Sequence, residues 1–95
     1  MHAKKRLEWS IRSLLNVASI EEHIEADNPT AARKVLGEIR KTAHNLTEFP
    51  MVGHTGQRAG TRELVLAKYP FTIIYRLTAR KVFILAVAHQ SKKHR

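Results

Sequence analysis

Phe71-Thr72-Ile73-Ile74-Tyr75-Arg76-Leu77, then Thr78-Ala79-Arg80-Lys81, then Val82-Phe83-Ile84-Leu85-Ala86-Val87-Ala88-His89 is the stretch that decides the fold. Two runs rich in β-branched and aromatic residues flank a short link, the pattern of two strands joined by a tight turn. In the first run Phe71, Ile73 and Tyr75 share one face and Arg76 lies on the other. That makes Tyr75 a core residue. A preceding run, Glu63-Leu64-Val65-Leu66, reaches them through Lys68-Tyr69-Pro70. Links this short predict an antiparallel three-stranded meander.

Upstream the period changes. Pro50 and Gly53-His54-Thr55-Gly56-Gln57-Arg58-Ala59-Gly60 read as a loop without periodicity. Before it, Ala32, Val35, Leu36, Ile39, Ala43, Leu46 and Phe49 form one stripe of a helix. Asn28 is its cap, and Pro29 sits in the first turn, where its missing N–H costs nothing. Gly37 inside this helix costs about 1 kcal/mol relative to Ala, and close helix packing is the expected compensation. An earlier helix begins after Ser10, a plausible N-cap, with Leu14, Leu15, Val17, Ala18, Ile20 and Ile24 at helical spacing. Asp27-Asn28-Pro29 divides the two, so they pair as an antiparallel hairpin. Arg6, Leu7, Glu8 and Trp9 alternate as a short first strand. The expected fold is α+β: an N-terminal strand, a helical hairpin on one sheet face, then the meander. The other face, with Arg62, Arg76 and His89 among its candidates, is free to meet a ligand.

The 95 residues are expected to form a single domain, residues 1–95, with a core over about 5–90 and a basic tail at 91–95. Charge is distributed unevenly. Residues 51–95 hold nine Lys/Arg against Glu63 alone, so nearly the whole net charge of +9 lies in the strand-forming half. A folded basic face points to a polyanion or an acidic protein. The chain has no cysteine, which excludes disulfides and thiolate metal sites. No signal peptide is visible and no apolar run approaches the length of a membrane span, so a cytoplasmic protein without a membrane partner is expected.

Cofactor chemistry finds no support. Gly53, Gly56 and Gly60 match neither a P-loop nor a dinucleotide pattern. His2, His23, His44, His54 and His94 share no metal-ligand spacing, so no metal is expected. Glu21, Glu22 and Glu25 are solvated helix carboxylates. Arg62 reads either as a phosphate or acidic-partner ligand or as a structural group, paired with Glu63 or a neighbouring strand or anchoring a loop. Arg76, mid-sheet, must face solvent or a partner. His89 is either a general acid–base or a polar strand terminator.

Asp27-Asn28-Pro29-Thr30-Ala31-Ala32, Leu46-Thr47-Glu48-Phe49-Pro50, Gly60-Thr61-Arg62-Glu63-Leu64 and Pro70-Phe71-Thr72-Ile73-Ile74-Tyr75-Arg76 together resemble the RelE/ParE superfamily of bacterial toxins. The likeness spans about residues 5–90 and implies the toxin of a type II toxin–antitoxin pair, acting in growth inhibition and plasmid stabilisation. It further implies an acidic, partly disordered antitoxin that wraps the toxin. RelE-like members cut mRNA on the ribosome, and many carry an arginine where this chain has Thr72. The Gly-Thr-Arg-Glu-Leu and Asp-Asn-Pro wording is closer to ParE-like members, which inhibit DNA gyrase without cutting RNA. The resemblance therefore implies a non-catalytic gyrase inhibitor. Its target- or antitoxin-binding residues are expected among Arg58, Arg62, Lys68, Arg76, Arg80, Lys81, His89, Lys92 and Lys93. The alternative is a ribosome-dependent mRNA endoribonuclease using Arg62, Arg76 and His89. A third reading is an inactive binding module.

Overall fold

Ser10 ends the first strand and starts the first helix, and three interactions fix that corner. Its N–H donates to the Ile84 carbonyl at 2.9 Å, its hydroxyl donates to the Leu85 carbonyl at 2.9 Å, and its Oγ accepts from the Ser13 N–H at 2.9 Å. Ser13, fully buried, returns a hydroxyl bond to the Ser10 carbonyl at 2.7 Å. The buried polar groups of the corner are thus satisfied. The computed structural model describes residues 4–90.

The elements are β1 (Arg6–Trp9), α1 (Ile11–Glu25), α2 (Pro29–Asn45), β2 (His54–Thr55), β3 (Arg62–Val65), β4 (Phe71–Leu77) and β5 (Lys81–His89). Asn28 caps α2 by accepting from the Ala31 N–H at 3.0 Å, with Pro29 as its first residue. The five strands form one sheet in the order β1-β5-β4-β3-β2. β1 runs parallel to β5, and β3-β4-β5 is the antiparallel meander. The α+β class follows as expected.

One face of the sheet carries the core. Ile39, Ala43 and Leu46 meet Ile73, Tyr75, Val82 and Ile84, all fully buried, and α2 supplies most of the helical contribution. At about 25 cal/mol per Å² of buried apolar surface, this layer is the main source of stability. Helix α1 lies less deeply. Val17, Ile20 and Ile24 pack on the core, while its amide Asn16 accepts from the Val87 N–H at 3.0 Å and fixes the helix to β5.

Several expectations need correction. His54–Thr55, read as loop, is a short edge strand paired with Arg62 and Glu63. Phe49 is not part of the buried stripe, because the helix ends before it and its ring is 63% exposed. Gly37 does not mediate close helix packing, since a Cβ there would meet open space. Ile11, Leu14 and Leu15, although at helical spacing, face outward at 77%, 53% and 64% exposure.

Candidate functional site

The register of the strands decides which charged side chains share a face. Arg62 stands opposite Tyr75, and Glu63 opposite Ile74. Tyr75 is fully buried in the core, so alternation sends Arg62 to the helix side and Glu63, Ile74 and Arg76 to the helix-free side. There, Arg76 pairs in register with Phe83 and Ile74 with Ala86. Thr72 joins them between Val65 and Ala88.

Of the two readings of Arg62, the open-face ligand is not the one its geometry takes. Its guanidinium donates to the carbonyls of Met51 at 3.2 Å and Gly53 at 2.5 Å. Tyr75 reinforces the same loop. Its hydroxyl donates to the Pro50 carbonyl at 2.8 Å and accepts from the Gly53 N–H at 3.1 Å. One guanidinium nitrogen, Nη2 of Arg62, and a buried phenol together hold residues 50–53 against the sheet. The loop-anchor reading of Arg62 is the one its contacts fit.

His89 is displaced for a different reason. Between Ile74 and Tyr75 the β4–β5 register shifts: Ile74 faces Ala86 while Tyr75 faces Ile84, leaving Leu85 as the extra residue of a bulge. One inserted residue inverts the alternation of everything beyond it. His89 therefore pairs with Phe71 on the helix side, its ring set edge-on to Phe71 with centroids 5.2 Å apart. It lines a shallow groove with Ser19, Ile20, His23 and Ile24 of α1. Arg62, Arg76 and His89 are thus not assembled on one surface.

The helix-free face does hold a cleft, of about 420 Å³, lined by Ser10, Arg12, Gln57, Arg58, Thr61, Glu63, Ile74, Arg76, Leu85 and Ala86. Three elements supply its guanidiniums. Arg12 comes from the first turn of α1, Arg58 from the turn before β3 and Arg76 from β4. Gly60, at φ +80°, shapes that turn, a conformation that glycine adopts without penalty. The Thr61 N–H and hydroxyl both donate to the Arg58 carbonyl, at 3.1 and 2.7 Å. Among the described residues the single ion pair is Lys81–Glu8 at 2.8 Å, so the three arginines face the cleft without a carboxylate partner. Arg12 was not among the expected residues. Its place follows from the Ser10 corner, which only the pairing of β1 with β5 reveals.

The other expected residues scatter. Lys68 is exposed after β3 and Arg80 in the β4–β5 turn, while Lys81 is engaged with Glu8. Lys92 and Lys93 lie outside the described residues. Among the described residues the basic half is therefore not one continuous face. Among the described residues there is no group of three or more His, Cys, Asp or Glu able to hold a metal ion. No described helix is long and apolar enough to cross a membrane.

The family model for the ParE toxin of type II toxin–antitoxin systems, parDE, matches residues 7–94. The chain belongs to the ParE toxin family. Y4kP of Sinorhizobium fredii, which carries a toxin designation, is 41% identical over 87 residues, 92% of this chain and 90% of that protein. Toxin RelE2 of Caulobacter vibrioides is 29% identical over 84 residues, covering 88% and 93% of the two chains. In fold, this ParE-family chain is similar to the chromosomal ParDE system of P. aeruginosa. The TM-score is 0.84 at 21% identity, covering 93% of this chain and 98% of that one. The RelBE toxin–antitoxin complex of E. coli aligns with a TM-score of 0.64 at 14% identity, over 96% and 100% of the two chains. The protein is a type II toxin–antitoxin toxin of the RelE/ParE superfamily, with the α+β fold of its structural neighbours.

Proposed function

We propose that this ParE-family toxin inhibits DNA gyrase by binding, without a covalent step of its own, and that a cognate acidic antitoxin neutralises it. The observation that carries the reading is the separation of Arg62 and His89 from Arg76 by the sheet itself. In-line cleavage of RNA needs charge stabilisation and proton transfer within hydrogen-bond reach of one phosphate, and this trio lies on two faces. Thr72, on the open face where many RelE-like members carry an arginine, supports the same conclusion. The match to the ParE family model favours gyrase over the ribosome.

The antitoxin component draws support from surface chemistry. Ile11, Leu14 and Leu15 on α1 and Phe49, Met51 and Val52 after α2 are large apolar groups left at 53–77% exposure. Exposed apolar side chains on a chain of net charge +9 suit a partner that is both apolar and acidic. Purified toxin added to gyrase supercoiling reactions and to translating ribosomes tests the proposal. Supercoiling should fall while ribosome-bound mRNA stays intact; A-site cuts with supercoiling untouched would refute it.

A further inference from the structure

We infer that the cleft on the helix-free face is a phosphodiester site, and that Arg12, Arg58 and Arg76 grip the backbone of the DNA on which gyrase acts. The source of the nucleic acid rests on the gyrase reading above; the phosphate chemistry rests on the cleft alone.

Three arginines from separate elements line one concavity, and none has a carboxylate partner among the described residues. A guanidinium presents a planar fork of donors that matches two phosphate oxygens. At about 420 Å³ the cleft lies in the size range of ligand sites and far exceeds the needs of one carboxylate. Its floor, Ile74, Leu85 and Ala86, is apolar. Phe83 stands beside Arg76 on the same face, half-buried, an arrangement suited to sugar and base contacts next to a phosphate.

Glu63 separates a nucleic acid from an acidic peptide. Its carboxylate lies in the cleft and receives only a long 3.4 Å bond from the Gln57 N–H. An acidic segment would set its own carboxylates against Glu63, with no cation of its own to pair it. DNA supplies phosphate oxygens for the arginines together with base amino donors for Glu63.

The test is fluorescence anisotropy of labelled duplex DNA titrated with toxin at several salt concentrations. Each phosphate contact contributes about 0.9 to the slope of log affinity against log salt. Arg12→Ala, Arg58→Ala and Arg76→Ala should each weaken binding and lower that slope by about 0.9, so a fourfold rise in salt weakens the variant about 3.5-fold less than the wild type. Arg33→Ala, on the exposed side of α2, should change neither quantity, and circular dichroism checks that every variant is folded. No DNA binding at low salt, unchanged slopes in all three variants, or binding only of single-stranded RNA or of an acidic peptide would overturn the inference. Gyrase inhibition without DNA binding would sink the inference and leave the gyrase reading standing. DNA binding through these arginines without gyrase inhibition would leave the phosphodiester site standing and remove gyrase as the source of its DNA.

Discussion

Arg62 and Arg76 occupy neighbouring strands yet project to opposite faces of the sheet, because Arg62 is in register with Tyr75, the residue before Arg76. The two guanidiniums consequently do different work. Arg62 closes a loop through the Met51 and Gly53 carbonyls, and Arg76 lines an open cleft. Arg62→Ala should cost about 1–2 kcal/mol of stability, the value of charge-assisted bonds discounted for partial exposure. Arg76→Ala should stay within about 0.5 kcal/mol of wild type, as exposed substitutions do. Urea unfolding of the two variants side by side checks the contrast.

Tyr75 carries the same loop from beneath. Tyr75→Phe keeps the ring in the core but strands the buried Gly53 N–H and removes the donor to Pro50. A loss of about 1–3 kcal/mol should follow, read as a lower urea midpoint at unchanged slope.

Two glycines should respond in opposite directions to alanine. Gly37 lies mid-helix with open space around it, so Gly37→Ala should stabilise by about 0.5–1 kcal/mol. Gly60 holds φ +80°, and Gly60→Ala should destabilise by about 1–2 kcal/mol. Thermal unfolding resolves both signs.

The exposed α1 stripe gives a prediction about the antitoxin. Leu14→Asp combined with Leu15→Asp places charge where a partner would bury apolar surface, and affinity for the cognate antitoxin should fall at least about tenfold. Stability should hold, because both side chains are already more than half exposed. Calorimetric titration with the antitoxin measures it.

Much of this architecture was legible from local chemistry. Ser10, Asn28 and Pro29 mark helix starts through rules that act within one turn, and the alternation of Phe71, Ile73 and Tyr75 fixed the core face of β4. Face assignments failed where they depended on pairing between strands. Val82–Ala88 is a continuous apolar run, so nothing in it distinguishes a straight strand from one bulged at Leu85. The bulge inverts His89. Arg62 was misplaced because its face depends on which β4 residue it opposes. Arg12 carries no local signal, because the parallel pairing of β1 with β5, set across more than seventy residues, is what brings the Ser10 corner to the cleft.

His89 offers a sharp contrast between the two targets. On the helix side beside Phe71 it is remote from the arginine cleft, so His89→Ala should leave gyrase inhibition unchanged. A general acid–base would show the opposite, with mRNA cutting abolished. Inhibition curves for the variant and wild type should superimpose.

The most direct measurement is the conversion of relaxed plasmid to supercoiled plasmid by gyrase, titrated with purified toxin and then with antitoxin. Supercoiling should be lost as toxin is added and should recover when antitoxin is supplied. Supercoiling that proceeds unchanged at saturating toxin, with mRNA cut in the ribosomal A site by the same preparation, would contradict it.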